Sequence, residues 1–457
     1  VLLSASPKSA ASADIDALKS RKPNMFTVTS YKLAVMLSET LAACKFHSIV
    51  LDESHYIMNY KSLQTQSIAP LVKSSKYAYL LSGTPLTRPK EMFSQLNAVL
   101  PKAFDSFHTF AQRYCNPTPV FAGGKKLVKN GAKRQKTSAT NNGDGPTTMM
   151  SYQGHNRQHE LHALLRHVVL LRRLKSQVLH ELPPMVRERH YLEVTRAQAD
   201  KIAKIKSKKQ TKPAIIPANR MEDDGDDDEK EDEAADDDAK QNYSGGYLDQ
   251  FQKIAAIRIK PCQDYVEQHF LRPILSQSAA GSSTTDKILI FAHHKIVLDA
   301  MQILLQRLSS ACASGTSSGD DDDNESKTER KDVDTLDFSY VRVDGSTSQT
   351  VRTKLTDHFQ TNPKCRVALL SITAAGIGIN LTAGNHVVFC ELLPDLSDMV
   401  QAECRAHRML QTRTVFMHYL LLPNSIDETT WELLNTKHKN MSSILDGQVD
   451  GFKALRK

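Results

Sequence analysis

Residues 48–55 read SIVLDESH, an apolar run of four residues followed at once by two carboxylates. The apolar run predicts a buried strand, and Asp52 and Glu53 then stand at the carboxyl end of that strand. Magnesium-dependent nucleotide hydrolysis uses such a pair, because one carboxylate holds the metal and the next orients the attacking water. We therefore predict that Asp52 and Glu53 are catalytic and that Asp52 is the Mg²⁺ ligand.

A second stretch, SGTP at residues 82–85, follows another strand-like run about thirty residues downstream. We interpret Ser82 and Thr84 as a candidate link between the magnesium site and a second surface. The alternative is a plain turn that ends a strand, because Gly83 and Pro85 would suit such a turn as well.

A third stretch, QAECRAHR, occupies residues 401–408. Arg405 and Arg408 are three residues apart, so on a helix they would share one face. Two guanidinium groups can neutralise the charge that develops on a γ-phosphate in the transition state. The alternative is a pair of surface arginines, which Gln401 and His407 beside them disfavour.

The composition is that of a globular chain with a divided charge. The 457 residues carry a formal charge of +8, but residues 222–238 contain thirteen Asp or Glu and one Lys, which leaves +20 on the rest. Such a basic remainder suggests a polyanion such as nucleic acid as partner, or ordinary solvated Lys and Arg. The chain has no run of eighteen apolar residues, so we expect no membrane span. Seven scattered cysteines without a CxxC pair predict neither a zinc nor a disulfide framework, and they fit a reducing compartment.

Strands alternate with helices in two blocks, which predicts α/β domains with parallel sheets covered on both faces. The first block has predicted strands at 26–29 and 49–51 around a helical stretch, Tyr31–Ala43. The second has predicted strands at 287–291, 340–343, 367–370 and 386–389, with a helix at Val297–Leu308. Residues 90–282 between them are mainly helical in pattern. Polar segments at 122–150, 205–242 and 309–332 predict mobile insertions without a core.

Several further residues have two possible roles. Gly376 and Gly378 would let the backbone approach a phosphate or turn sharply. Thr373 could bind a DNA phosphate or cap a helix. His293 and His294 could ligate a metal, but without cysteine or carboxylate partners nearby in the sequence we favour a packed or DNA-facing role.

The ordered motifs DESH, SGTP, FAHH, DGST, TAAGIGINL and QAECRAHR resemble motifs II to VI of superfamily-two helicases. LLRRLKSQV at residues 170–178 is similar to a block at the end of the first lobe in the SWI/SNF-related DNA-dependent ATPases. Within that family, the chain resembles the annealing-helicase (HepA-related) type over about residues 25–120, 160–195 and 285–435.

The resemblance implies two RecA-like lobes, of which the first is truncated, with helical insertions between them. Five segments follow from it. They are the end of lobe 1 with motifs II and III (1–90), a helical protrusion with the end of lobe 1 (91–195), a second helical region with the acidic insertion (196–284), lobe 2 with motifs IV to VI (285–440) and a tail (441–457).

The implied activity is ATP hydrolysis with Mg²⁺, driven by branched DNA or single/double-strand junctions, in a nuclear protein that reanneals strands and repairs stalled forks. A single-strand-binding protein is a further implied partner, and a membrane is not. The implied nucleotide-binding residues are Ser54, His55, Gly376, Gly378, Gln401 and His407. The implied DNA-binding or coupling residues are Ser82, Thr84, Thr373, Asn380 and Asp344.

The chain departs from the family pattern in two places. It contains no GxxxxGK[ST] sequence, which family order would place ahead of Val1. We therefore expect a fragment that is inactive alone; the alternatives are an incomplete gene model and a degenerate protein. Cys404 replaces the usual Asp of the last motif and removes an acceptor that could orient Arg405 or Arg408. The alternatives to an annealing helicase are a chromatin remodeller and a catalytically inactive DNA-binding scaffold.

Overall fold

The computed structural model describes residues 26–121, 148–207, 237–276, 286–309, 338–373, 378–448 and 451–456. The chain divides into two compact units, unit 1 (Val1–Arg172 and Lys437–Asp450) and unit 2 (Arg173–Thr436 and Gly451–Lys457). The predicted insertions fall largely outside the described residues, as does the acidic tract except for Asp237 and Asp238. Among the described residues, no helix is long and apolar enough to cross a membrane.

Unit 1 combines short helices with two pairs of strands. Its helices are α1 (Tyr31–Met36), α2 (Ser38–Ala43), α3 (Leu63–Ser74), α4 (Pro89–Val99), α5 (Phe107–Tyr114) and α6 (Gln158–Val168). Its strands are β1 (Ser48–Leu51), β2 (Tyr77–Leu80), β3 (Thr118–Phe121) and β4 (Thr148–Ser151). The strands β3 and β4 form an antiparallel pair on either side of the first insertion.

The two strands that precede the first motifs, β1 and β2, form a parallel pair joined through α3, with Ile49 opposite Ala78. Ile49 and Leu80 pack against the apolar core of the unit. Val50 and Tyr79 point the other way and remain 59% and 54% exposed. The prediction of a buried strand at 48–51 is therefore wrong for one face, because among the described residues only one side of this pair is covered.

The predicted strand at 26–29 is also wrong. Only Val28 makes a strand-like bridge, and the neighbouring residues have no regular structure. Phe26 and Val28 are 85% and 61% exposed, so pairing here would gain little from apolar burial. The helical stretch 31–43 forms, but as two helices that meet at Leu37.

Unit 2 contains a larger sheet and the longer helices. Its helices are α7 (Lys175–Val178), α8 (Arg196–Ser207), α9 (Asp237–Val266), α10 (Arg272–Ser276), α11 (Lys295–Leu308), α12 (Gln349–Thr361), α13 (Leu396–Ala406) and α14 (Ile426–Leu445), whose last residues belong to unit 1. Its strands are β5 (Met185–Tyr191), β6 (Ile288–Ala292), β7 (Ser339–Val343), β8 (Cys365–Ser371), β9 (His386–Phe389), β10 (Val415–Leu421) and β11 (Leu455–Arg456).

The seven strands of unit 2 lie in the order β11-β5-β10-β9-β6-β8-β7, and every pair is parallel. All residues of β6 and β8 are buried, as near-continuous apolar runs predict for a sheet covered on both faces. All four strands predicted for this block form within one or two residues of their predicted bounds.

The strand β5 differs from the sequence prediction, which took residues 90–282 as mainly helical and placed 185–191 at the end of the first lobe. In the structure β5 pairs with β10 along its whole length. Its sequence, MVRERHY, is too polar to suggest an inner strand. Two of the buried partners that accommodate these polar side chains, Glu403 and His418, lie more than 200 residues away in the chain.

Candidate nucleotide and DNA site

The first motif forms a tight turn at the carboxyl end of β1. Glu53 adopts a left-handed backbone conformation, with φ 51°, which is uncommon for a residue with a side chain. The Ser54 amide then donates to the Leu81 carbonyl at 2.8 Å, and a single 3₁₀ turn follows at Ser54–Ile57. The turn leaves Asp52 exposed and Glu53 partly exposed, while Ser54 and His55 are buried.

The structure brings the first two motifs into contact. The His55 Nδ1 atom lies 3.2 Å from a carboxylate oxygen of Glu53 and 3.3 Å from the Ser82 hydroxyl. The Thr84 amide in turn donates to the Ser82 hydroxyl at 3.2 Å. Glu53, His55, Ser82 and Thr84 therefore form one polar chain, which connects the carboxylate predicted to orient water with the turn after β2.

Two buried residues that the sequence interpretation missed support both turns. The Ser54 hydroxyl donates to Gln95 Oε1 at 2.9 Å, and Gln95 Nε2 donates to the Pro85 carbonyl at 2.6 Å. Tyr31 donates its hydroxyl proton to the Asp52 carbonyl at 2.7 Å. Burial and the nearby carboxylates of Asp52 and Glu53 raise the pKa of the Tyr31 phenol above its ordinary value, so it remains a donor. No local sequence signal marks Tyr31 or Gln95.

The exposed carboxylate of Asp52 fits the metal predicted there. One of its oxygens accepts the Glu53 amide at 3.0 Å, which fixes the orientation of the group. The other oxygen can ligate Mg²⁺, which usually keeps several waters and takes only one or two protein carboxylates. The residues present are therefore suited to a hydrated Mg²⁺ that is held partly by the phosphates of a nucleotide.

In unit 2, a buried carboxylate organises the FAHH motif after β6. Glu391 Oε2 accepts the amides of His293 and His294 at 2.6 and 2.8 Å, and its Oε1 atom lies 2.7 Å from His294 Nδ1. Burial alone would raise the pKa of Glu391, but His294 and Arg258 outweigh it, and the pKa is lowered. Burial, with a smaller contribution from His294, lowers the pKa of His293 to about 4.

These contacts give the two histidines a carboxylate partner that we did not anticipate when we ranked their possible roles. The partner follows β9, nearly one hundred residues downstream. Glu391 follows an apolar run much as Asp52 does, so the same sequence signal was available and was not used. Whether His293 and His294 face DNA stays a prediction.

The TAAGIGINL motif follows β8 and is only partly described. The Thr373 hydroxyl is exposed and lies 2.9 Å from the Ser371 hydroxyl. Gly376 lies outside the described residues. Gly378 has φ 42°, and a Cβ atom there would have no neighbour within 4 Å, so the backbone is open to a close approach. The buried Oδ1 atom of Asn380 has no hydrogen-bond partner among the described residues.

Asp344, in the DGST motif after β7, is engaged mainly in its own turn. Its Oδ1 atom accepts from the Ser346 amide and hydroxyl at 3.1 and 2.6 Å, and its Oδ2 atom accepts from Arg342 at 2.9 Å. Burial alone would raise the pKa of Asp344, but these donors outweigh it and lower the pKa. The contacts support the turn before α12, and a role of Asp344 towards DNA stays a prediction.

The helix α13 carries Gln401 and Arg405, both partly exposed. It is anchored by Glu403, whose two carboxylate oxygens accept from Arg187 Nε and NH2 at 2.6 and 2.7 Å. Tyr419 also donates its hydroxyl proton to Glu403. Burial alone would lower the pKa of Arg187, but Glu403 outweighs it and the pKa rises. We call this two-bond ion pair between Arg187 and Glu403 the buried fork. The sequence did not predict it because Arg187 lies far from the motif in the chain.

The argument that Arg405 and Arg408 share a helix face is wrong. The helix α13 ends at Ala406, and His407 has φ −97° and ψ 80°, so Arg408 lies beyond the last turn. His407 is held in this non-helical conformation because its Nε2 atom bonds the Pro183 carbonyl at 2.8 Å and Lys175 donates to its carbonyl at 2.7 Å. Both arginines remain candidate residues without that geometric support.

Cys404 faces a cation in the structure. Its sulfur lies 3.2 Å from Lys175 Nζ, and Lys175 belongs to the LLRRLKSQV block. An Asp at this position would offer Lys175 a charged acceptor, whereas a thiol is a weak one. The replacement of Asp by Cys404 therefore weakens a contact to Lys175. The sequence interpretation had expected the missing acceptor to affect Arg405 or Arg408 instead.

Comparison with known families accounts for these motifs. An SNF2-related domain matches residues 8–230, and a helicase conserved C-terminal domain matches residues 323–410. The fold class is α/β, with RecA-like lobes. The chain belongs to the SNF2-related family of helicase-like ATPases.

Individual relatives resemble the chain over nearly all of its length. It is 30% identical over 94% of its residues to "DNA annealing helicase and endonuclease ZRANB3" of Homo sapiens, and 33% of that protein is covered. It is 30% identical over 92% of its residues to "SWI/SNF-related matrix-associated actin-dependent regulator of chromatin subfamily A-like protein 1" of Xenopus tropicalis, with 36% covered. The chain thus spans about a third of the length of these relatives. One solved structure, the C-terminal part of the Fun30 ATPase domain, matches at 19% identity over 58% of this chain and 98% of that one, and its TM-score of 0.33 supports no conclusion.

Proposed function

We propose that this chain is the motor portion of an ATP-dependent DNA translocase of the annealing-helicase type. The observation that carries the proposal is the polar chain from Glu53 through His55 to Ser82. It connects the carboxylates needed for hydrolysis to the turn after β2. A change in the bound nucleotide could therefore be transmitted through these hydrogen bonds to a second surface. The names of the two relatives, an annealing helicase and a regulator of chromatin, favour DNA as the substrate.

Each site residue has a proposed task. Asp52 holds Mg²⁺, which neutralises phosphate charge when it is bound. Glu53 accepts a hydrogen bond from the attacking water, and His55 fixes the Glu53 carboxylate from the side. Arg405 and Arg408 neutralise the γ-phosphate, and Ser54, Gln401, His407, Gly376 and Gly378 contact the nucleotide. Ser82, Thr84, Thr373, Asn380 and Asp344 couple its state to DNA.

The substrate proposed is branched DNA or a single/double-strand junction at a stalled fork, in the nucleus, with a single-strand-binding protein as a further partner. Reannealing of strands is the expected outcome. The charge of +20 outside residues 222–238 supports a polyanionic partner. A chromatin remodeller is the second candidate, because one relative is named as a regulator of chromatin.

Phosphate release by three proteins tests the proposal. They are the chain itself, the chain joined at its N-terminus to a segment that carries a GxxxxGK[ST] phosphate loop, and the joined protein with Asp52→Asn. We expect negligible release by the first and third proteins, because the chain has no GxxxxGK[ST] sequence and the third lacks the metal ligand. Forked DNA should stimulate the second protein more than linear duplex does.

The same assay separates the alternatives. Stimulation by nucleosomes well above that by naked forked DNA would favour a remodeller. Tight binding of forked DNA without any hydrolysis by the joined protein would favour an inactive scaffold and would contradict the proposal.

A further inference from the structure

A cluster of ionisable side chains that belong to none of the motifs lies in the sheet of unit 2. Glu188 and His190 are two residues apart on β5, so their side chains point to the same face of the sheet. His418 on β10 lies opposite Glu188 in the register. Each of the three residues is 5–6% exposed. Apolar core residues, among them Leu420 and Val388, surround the cluster on this face, together with His386. Burying such groups is costly unless all of them are paired.

The three inward-facing atoms form a nearly equilateral triangle. His190 Nε2 lies 3.1 Å from His418 Nδ1, and a Glu188 carboxylate oxygen lies 3.5 Å from the former and 3.3 Å from the latter. Tetrahedral zinc bonded to nitrogen and oxygen at about 2.0–2.1 Å places its ligand atoms about 3.3–3.4 Å apart. The observed edges match that spacing, and each residue offers one ligand atom to a common point.

One cation can engage all three atoms at once. A carboxylate oxygen and the unprotonated nitrogen of each imidazole can all direct a lone pair at one positive charge, and the three atoms lie close enough together to do so.

The outer nitrogens of both histidines already have acceptors. His190 Nδ1 lies 2.9 Å from the Tyr265 hydroxyl, and His418 Nε2 lies 3.2 Å from His386 Nδ1. A histidine that binds a metal usually donates its other N–H to such a partner, which fixes the ring and the tautomer. The ring of Phe270 packs on His418 at 4.6 Å and shields the cluster.

We propose that Glu188, His190 and His418 form a zinc-type metal site that clamps β5 to β10. Two neutral imidazoles and one carboxylate are a ligand set that zinc accepts, with a water molecule as the fourth ligand. The site would fix the strand that follows the LLRRLKSQV block to the sheet that carries the later motifs. The absence of CxxC pairs led us to expect no zinc framework. This site needs no cysteine, and its ligands are 230 residues apart in the chain.

The test is a metal titration of the tag-free 457-residue chain. After dialysis against EDTA and its removal, Zn²⁺ is added and the retained metal is measured by atomic emission, and Co²⁺ is used as a spectroscopic probe. We expect one equivalent of Zn²⁺ and the visible absorption of four-coordinate Co²⁺. Glu188→Gln should weaken binding at least about 100-fold, because it removes a charged ligand outright.

Two further variants keep the test decisive if Glu188→Gln does not fold. Tyr265→Phe leaves the ligands in place but removes the acceptor for His190, so it should weaken Zn²⁺ binding about 10- to 100-fold. His358→Gln changes an exposed histidine and should bind like the parent chain. A parent chain that retains no Zn²⁺, or binding unchanged in both Glu188→Gln and Tyr265→Phe, would overturn the proposal and leave a hydrogen-bonded cluster.

Discussion

The buried fork between Arg187 and Glu403 should be one of the most sensitive points of unit 2. The side chain of Glu403 is 2% exposed and that of Arg187 is 18% exposed. Arg187→Met leaves a buried carboxylate whose remaining described partner is the Tyr419 hydroxyl. Removal of one partner of a buried ion pair costs about 3–5 kcal/mol. We expect a value near the lower end, about 3 kcal/mol, because Arg187 keeps some contact with water.

The paired variant shows whether the uncompensated charge is the cause. Glu403→Gln combined with Arg187→Met removes both charges but keeps an amide oxygen for Tyr419. It should therefore cost clearly less than Arg187→Met alone, since replacing both members of a buried ion pair is often nearly neutral. Arg196→Met, at an exposed position of α8, is the matched control and should change stability by less than about 0.5 kcal/mol.

Urea unfolding followed by tryptophan fluorescence measures these effects locally. The chain has one tryptophan, Trp431, which is 6% exposed and lies 5.1 Å from the Tyr419 ring. Its emission therefore reports on the surroundings of the fork. A cost below about 1 kcal/mol for Arg187→Met, or a double variant as unstable as the single one, would refute the reasoning.

Three further predictions concern catalysis, pH and DNA affinity. In the joined protein that carries a phosphate loop, Arg408→Ala and Arg405→Ala should each lower turnover on the order of 10³-fold with DNA binding little changed; loss of DNA affinity with normal ATPase activity would reassign them to a DNA-binding surface. The pKa of His293 is lowered to about 4 from an ordinary 6.5, so the stability that its neutral ring contributes is present above pH 6.5 and is lost as the pH falls towards 4. Urea unfolding should show that the parent chain loses about 3 kcal/mol of its free energy of unfolding over that range and that His293→Gln does not. If the variant has the same pH dependence as the parent, His293 is not buried as a neutral imidazole. Deletion of 222–238 should strengthen the binding of fluorescent forked DNA at low salt only, because a polyanion competes for the basic surface until salt screens it; equal affinities at low salt would leave the tract a role in solubility, and weaker binding would give it a structural one.

Strand positions in unit 2 could be predicted because burial on both faces leaves continuous apolar runs, as in β6 and β8. The strand β5 could not, since its Arg, Glu and His side chains are tolerated only through Glu403 and the His418 cluster, which are distant in sequence. The contact between DESH and SGTP follows from parallel pairing of β1 and β2. The partners Tyr31 and Gln95 come from tertiary packing, which no local pattern encodes, whereas Glu391 follows an apolar run and could have been singled out.

The helix end at Ala406 illustrates a second kind of failure. The residues after Gln401 are compatible with a longer helix, and nothing local stops it. Two contacts from the 175–183 segment, one to the ring and one to the carbonyl of His407, end the helix there. The argument from the spacing of Arg405 and Arg408 therefore failed because tertiary contacts determine where this helix ends.

The steady-state rate of ATP hydrolysis by the joined protein with Glu53→Gln tests the central claim most directly. The substitution keeps the shape of the side chain and leaves Asp52 to hold the metal, but it removes the carboxylate that orients water. With saturating forked DNA, hydrolysis should nearly vanish while the binding of a fluorescent ATP analogue stays close to that of the parent protein. Turnover within a few-fold of the parent would contradict the assignment of Glu53 as the catalytic carboxylate.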